Sequence, residues 1–245
     1  MRILIISDIH SNLAAIEAVF IAAGSYDALW CLGDTIGYGP RPNECITLMR
    51  DREAVAITGN HDLACLGKID LHDFNPDARQ ANIWNGEQLS PENRAWLEEL
   101  KPNRDIDGRF TMAHGSPRQP IWEYLLMHDQ AMANFELFNQ QVCLIGHSHV
   151  QMGFRLNHAG ERCERFLADN GQTIDLTDRH VRYFINPGSV GQPRDKDPRA
   201  AYAILDTAAA TIRYHRIAYD ITRTQREMTE AGLPVALIRR LEYGI

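Results

Sequence analysis

An α/β fold is predicted by three features of the chain. Short apolar runs rich in β-branched residues recur, helical patterns lie between the early ones, and most of the runs end on Gly, Asp, Asn or His. Such runs suit buried strands, and strands alternating with helices suit a layered fold with a largely parallel central sheet. The first strand is expected over residues 2–6 (RILII) and is followed by a helix over 13–23 (LAAIEAVFIAA). Asn12 is a good N-cap for that helix and Gly24 stops it. Residues 28–32 (ALWCL) read as the second strand, 42–50 as a helix with proline in its first turn, and 54–58 (AVAIT) as the third strand. From 75 to 100 the chain turns helical and aromatic, with Trp84, Trp96 and a helix start at Ser90-Pro91-Glu92. Strand-like runs resume at 110–113 (FTMA) and 142–145 (VCLI), so this stretch reads as a helical insertion. After Gly153, segments at 164–168, 181–185, 201–205 and 210–216 look antiparallel, and a helical tail over 222–241 is broken at Gly232-Leu233-Pro234. No linker, repeat or low-complexity stretch divides these elements, so a single domain over 1–245 is expected.

Composition narrows the function classes. The 245 residues are 44% apolar and 23% charged, ordinary for a soluble globular protein with a sizeable core. A formal net charge of −7 argues against bulk nucleic-acid binding, which needs a basic surface, although a local cationic centre can still hold a phosphate. The five cysteines, Cys31, Cys45, Cys65, Cys143 and Cys163, have no C-x-x-C spacing, so neither a disulfide framework nor a structural zinc site is indicated. No run approaches the ~20 apolar residues of a membrane span. The N-terminal MRILIISDIH places a basic residue before an apolar run, but the run is short and lacks a small-residue cleavage site. A cytoplasmic location is the expectation.

The polar residues at the strand ends carry the chemistry. The first strand runs into Asp8-Ile9-His10, the second into Gly33-Asp34, and the third into Gly59-Asn60-His61-Asp62. Later strands run into His114-Gly115 and His147-Ser148-His149. The carboxyl ends of parallel strands share one edge of the sheet, so Asp8, His10, Asp34, Asn60, His114, His147 and His149 should converge there. Two carboxylates, one amide oxygen and four imidazoles suit divalent transition metals and are too rich in nitrogen for calcium or magnesium. Seven ligands exceed what one catalytic zinc takes, and two metals sharing a bridging carboxylate fit the count better. His72, His128, His158, His180 and His215 lack the strand-end setting and are left out of the site.

The order D-x-H, GD, GNHD, H-G, GHSH resembles the calcineurin-like metallophosphoesterase superfamily, and NPGSVGQPR at 186–194 looks like a further segment of its small bacterial phosphodiesterase-like members. Ser11 is a departure, since glycine is common at that place in the family's motif. The resemblance implies a four-layer α/β/β/α sandwich of two mixed sheets with two metals at one edge. It implies that Asp8, His10 and His149 hold the first metal, that Asn60, His114 and His147 hold the second, and that Asp34 bridges them. His61 would face the substrate, with Asp62 beside it holding the imidazole. In VCLIGHSH, Gly146 and Ser148 would then sit in a turn that lets His147 and His149 straddle two ions.

The function implied is hydrolysis of a phosphodiester or phosphomonoester. Two cations ~4 Å apart create a bridging hydroxide that attacks phosphorus in line, and His61 assists the leaving group. Mn2+ is the expected metal, with Fe, Zn2+ and Ni2+ also accepting these ligands. Arg41, Arg118 and Arg194 follow site loops and are candidates to clamp the phosphate ester. Other readings are a serine/threonine protein phosphatase, a dinucleoside polyphosphate hydrolase, or a binding module that keeps the fold without catalysis. The HD pair of all-helical phosphohydrolases also matches His61-Asp62, but a strand-like run precedes it here.

Overall fold

A computed structural model describes every residue except His158, Gly160 and Glu161, so the expectation for His158 lies outside the described residues. Two six-stranded mixed sheets form the centre. In the first, β1 (Arg2–Ile6), β2 (Ala28–Cys31) and β3 (Val55–Ala56) run parallel. In the second, β4 (Asn103–Ile106) pairs antiparallel with β5 (Phe110–Ala113), which runs parallel to β6 (Val142–Ile145). β7 (Gln151–Leu156) and β8 (Cys163–Leu167) extend this sheet beyond β10 (Arg182–Pro187), which lies parallel to β6. β9 (Thr173–Asp175) returns to the first sheet, where it pairs with β12 (Thr211–Ile217), and β11 (Ala200–Asp206) joins β12 to β1. The largely parallel single sheet read from the strand–helix alternation is therefore divided between two sheets, with three parallel strands at one side of the first and three at the middle of the second.

Side-chain alternation along the strands builds four layers. Ile3 and Ile5 of β1 point between the sheets, where they meet Trp30, Met112, Leu144, Ile185 and Tyr214. Leu4 and Ile6 point outward to Ile16 and Val19 of α1 (Leu13–Ala23) and to Cys45 and Met49 of α2 (Pro42–Asp51). On the far side, Cys143, Ile145 and Phe184 pack against Ala131 and Phe135 of α6 (His128–Phe135). Replacing a buried isoleucine such as Ile5 with alanine would cost about 2–5 kcal/mol. All five cysteines are buried free thiols.

A helical cap covers the strand ends. It contains α3 (Asn60–Cys65), α4 (Pro76–Gln88), α5 (Pro91–Glu99) and the tail helices α7 (Ile221–Glu230) and α8 (Val235–Arg240). Ala78 and Ala81 of α4 pack there with Phe74, Met228, Leu237 and Leu241 around Tyr38. No described helix is long and apolar enough to cross a membrane. Sequence periodicity missed β4, β7, β9, α3 and α6. Asn103, Arg104 and Asp105 of the edge strand β4 are exposed, so it carries no apolar pattern, and α3 is too short, at six residues, to show a helical period.

Candidate metal centre

The loops leaving β1, β2, β5 and β6 and the start of α3 bring seven polar side chains together under the helical cap. Asp8, His10, Asp34, His147 and His149 all have left-handed backbones, with φ of 52°, 49°, 51°, 62° and 59°. Asp and His tolerate this region better than most L-residues, yet each still costs about 1 kcal/mol or more, so the surrounding structure must enforce it. Backbone ties supply the constraint: Asp8 N–H donates to Gly33 O (3.1 Å) and His10 N–H to Asp34 O (3.0 Å). Two glycines are required by close approach. A Cβ at Gly59 would lie 2.1 Å from Asp34 Oδ1, and one at Gly146 would lie 2.0 Å from Ser7 Oγ.

Donor atoms of Asp8, His10, Asp34 and His149 lie within 4.8 Å of one another, as do those of Asp34, His114 and His147. Asp34 belongs to both groups. Its Oδ1 accepts from His61 N–H at 2.8 Å, whereas Oδ2 is fully buried without a hydrogen-bond partner among the described residues. Oδ2 stands 3.3 Å from His114 Nε2 and 3.7 Å from His10 Nε2. Asn60 Oδ1 joins the second group, 3.2 Å from His114 Nε2.

Each imidazole turns its other nitrogen to a backbone carbonyl, which fixes tautomer and ring orientation. His10 Nδ1 faces Ile36 O (3.3 Å), His149 Nδ1 faces Gln192 O (2.5 Å), His114 Nδ1 faces Leu32 O (2.8 Å), and His147 Nε2 faces Trp122 O (3.2 Å). Those nitrogens carry the protons, because a carbonyl only accepts. His10 Nε2 and His149 Nε2 are therefore left with lone pairs facing each other at 3.1 Å. Facing lone pairs and an orphaned carboxylate oxygen repel unless a cation lies among them, so the donor set fits a metal.

The protonation states differ across the centre. Burial pushes His10 and His149 well below the ordinary imidazole value and lowers His147 to about 3. Burial works the same way on His114, but the adjacent Asp34 carboxylate overcomes it and raises that imidazole to about 9. Burial also raises Asp8 to about 7. Asp34 would rise with burial too, but His114 and His61 pull it below the usual carboxylate range.

His61 departs from expectation in its partner. Its Nδ1 donates to Asn82 Oδ1 at 2.8 Å. Asp62 does not hold the imidazole: its Oδ2 accepts from Gly59 N–H (3.0 Å) and its Oδ1 from Ile36 N–H (3.1 Å). The reason is local. Residues 60–65 are helical, so consecutive side chains diverge by about 100°, and the carboxylate caps the helix start instead. The helical insertion thus reaches the centre through Asn82 and, one turn on, Asn85. Asn85 Oδ1 accepts from Ser11 Oγ (2.6 Å) and Gly37 N–H (3.1 Å), while its Nδ2 donates to Gly39 O (3.1 Å). Ser11, which departs from the family's glycine, is thereby a tie between the first loop and the insertion. Two asparagines on the core-facing side of a helix were the available signal.

The three arginines separate. Arg41 pairs with Glu227 (3.0 Å) and Glu44 (3.1 Å), and Arg118 pairs with Glu123. Arg194 has no acidic partner among the described residues. Its Nη2 donates to Tyr38 OH (3.3 Å) and Gln192 Oε1 (2.9 Å), and its Nη1 to Tyr124 OH (3.4 Å). Both tyrosines touch the centre: the Tyr38 ring lies 4.3 Å from His61, and Tyr124 stacks on His147 at 4.0 Å. Trp84 and Trp122 are partly buried against the cap core.

Comparison with known proteins places this arrangement. The profile of the calcineurin-like phosphoesterase superfamily domain matches residues 1–210. The chain belongs to that superfamily. An uncharacterized protein of Methanocaldococcus jannaschii is 37% identical over 254 residues, covering 99% of this chain and 98% of its own. A metallophosphoesterase structure from Sphaerobacter thermophilus is 47% identical with a TM-score of 0.91, covering 100% of this chain and 99% of its own. A hypothetical protein from Pyrococcus horikoshii, 17% identical, shares the fold with a TM-score of 0.77 over 100% of this chain and 98% of its own. The two mixed sheets with helices outside them are thus the metallophosphoesterase fold. The tail helices α7 and α8 lie beyond the stretch matched to the calcineurin-like domain.

Proposed function

We propose that the chain hydrolyses a phosphodiester or phosphomonoester with two divalent cations, Mn2+ foremost. Asp8, His10 and His149 would hold one cation, and Asn60, His114 and His147 the other, with Asp34 contributing to both. The observation that carries this reading is the Asp34 carboxylate, shared by two donor groups with its Oδ2 buried and unpartnered. Bound there, the cations supply Lewis acidity toward the phosphoryl oxygens and a water.

The chain's own groups do the rest. Arg194 has no carboxylate partner among the described residues and is positioned through Tyr38 and Tyr124 to pair with a phosphoryl oxygen. His61 keeps its Nδ1 proton on Asn82, and its Nε2 has no hydrogen-bond partner among the described residues, so Nε2 is the atom that can exchange a proton with the leaving group. Burial lowers this imidazole to about 4 in the free protein. The negative charge of a bound phosphate offsets that burial and lets Nε2 take the proton it delivers. Asp62 fixes the loop that presents His61 and does not act on the imidazole.

The test is hydrolysis of bis-p-nitrophenyl phosphate and p-nitrophenyl phosphate by protein reconstituted with Mn2+, Fe, Zn2+ or Ni2+. Turnover with at least one metal is expected, and its loss on chelation follows. Absence of turnover with every metal overturns the enzyme reading in favour of a binding module.

A further inference from the structure

The segment 186–194 (NPGSVGQPR), which begins in β10 and runs on into a loop, ties Arg194 to the candidate centre. Gly191 N–H donates to Asp8 O (2.9 Å), and the main-chain N–H of Arg194 donates to His149 O (3.2 Å). A Cβ at Gly191 would lie 1.9 Å from Ile9 O, so this loop lies directly against the one that carries Asp8 and His10. Gln192 then holds two partners at once. Its main-chain oxygen receives His149 Nδ1, and its Oε1 accepts from Arg194 Nη2 (2.9 Å) and Nε (3.3 Å).

The guanidinium is flanked by a tyrosine from each side of the centre. Tyr38, whose hydroxyl accepts from Nη2, packs its ring 4.7 Å from His10 of the first donor group and 4.3 Å from His61. Tyr124, whose hydroxyl accepts from Nη1, stacks on His147 of the second group at 4.0 Å. The hydrogen bonding is one-sided. A guanidinium only donates, and a phenol that accepts from it still has its own O–H to give. Neither hydroxyl donates to a described residue, and no carboxylate among them pairs with Arg194. Burial holds the Tyr38 hydroxyl above its ordinary value against the pull of Arg194, so it keeps its proton. Two hydroxyl protons beside one cation call for an anionic acceptor with several oxygens. A phosphomonoester brings three terminal oxygens and up to two negative charges, whereas a diester brings two oxygens and one charge.

We propose that Tyr38 and Tyr124 bind substrate: their hydroxyls donate, beside the Arg194 guanidinium, to terminal phosphoryl oxygens, and this donor cluster selects phosphomonoesters over diesters. The proposal deepens the phosphoesterase reading and rests on it, since that reading supplies the phosphoryl group. The tyrosines touch the unesterified oxygens and take no part in breaking the ester bond.

Tyr38→Phe and Tyr124→Phe remove each hydroxyl and keep each ring against its histidine, so metal content and thermal unfolding should match the wild type. Inorganic phosphate, titrated calorimetrically into the Mn2+-loaded proteins, should bind at least about tenfold more weakly to each variant, the weight of one hydrogen bond to a charged oxygen. kcat/KM for p-nitrophenyl phosphate should fall by a similar factor and that for bis-p-nitrophenyl phosphate by a smaller one, so the monoester-to-diester ratio declines. Unchanged phosphate affinity in either variant overturns the proposal, as does an equal loss for both esters. In an Arg194→Gln background each hydroxyl should still strengthen phosphate binding. An effect that vanishes there shows that the tyrosines only place Arg194, and it overturns direct donation. If no ester is hydrolysed but phosphate binding weakens in both variants, the phosphoesterase reading falls and the donor cluster stands. If esters are turned over and both variants behave as the wild type, the cluster falls and that reading stands.

Discussion

The two donor groups share Asp34 but hold their protons in opposite ways. In the group of Asp8, His10 and His149, burial keeps both imidazoles neutral, and the highest competing proton belongs to Asp8, which burial raises to about 7. In the group of Asn60, His114 and His147, the adjacent Asp34 carboxylate overcomes burial and raises His114 to about 9. One carboxylate, 3.3 Å from one imidazole and 3.7 Å from another, thus raises the proton affinity of His114 in the second group, while in the first group burial keeps His10 low. The difference teaches that the two donor groups are chemically unequal although their residue types look alike.

Asp34→Asn is the change that should erase the comparison. It removes the charge both groups depend on, and we expect metal content to fall at both positions and turnover to drop more than about 100-fold, beyond the effect of losing an outer partner of a ligand. Elemental analysis showing a full complement of metal in this variant would refute the bridging role. His61→Ala should spare both groups: metal content stays as in the wild type while kcat falls by about 100-fold or more, the usual weight of a general acid. Loss of metal on that change would mean that His61 is a ligand.

Proton competition sharpens the comparison further. Below about 9 a cation at the second group must displace the His114 proton, so its affinity should rise about tenfold per pH unit until that value is reached. At the first group the gain should level off above about 7, once Asp8 is deprotonated. Counting Mn2+ per chain after dialysis at limiting metal, from about pH 6 to pH 10, should show two steps separated in pH, the span set by these two protons. A single step would abolish the distinction. The smallest effect concerns His61. A carboxylate in place of the amide at Asn82 should raise its value from about 4 by at least about one unit, because the imidazolium gains a charged partner. Asn82→Asp should therefore move the alkaline limb of the pH–rate profile upward, because the acting form of His61 is protonated, and an unmoved limb would show that this residue does not set it.

The strand ends were legible in the sequence because chemistry and local order coincide there. Asp8, Asp34, His114, His147 and His149 each follow an apolar run, and glycines at Gly33, Gly59 and Gly146 mark where backbones approach too closely for a side chain. The partition into two sheets was not legible from strand–helix alternation, since a parallel strand reads the same in either sheet. It came from the family resemblance. Asn82, Asn85, Tyr38 and Tyr124 were also hidden. Each reaches the centre from a helix or loop whose own pattern says nothing about which loop it will meet, and contacts between elements far apart in sequence leave no local mark. Asp62 was misassigned for a related reason: adjacency in the chain was taken for adjacency in space, whereas the helix at Asn60–Cys65 turns the two side chains apart.

The left-handed backbones of Asp8, His10, Asp34, His147 and His149 also limit how this protein can change over evolutionary time. Asn and Gly accept that conformation, while β-branched residues do not. A descendant with no use for these donor atoms would drift toward asparagine or glycine at these five positions and keep the turns intact. The donor set could then be lost by substitutions the architecture barely registers, leaving a scaffold that is hard to tell from its ancestor by shape alone.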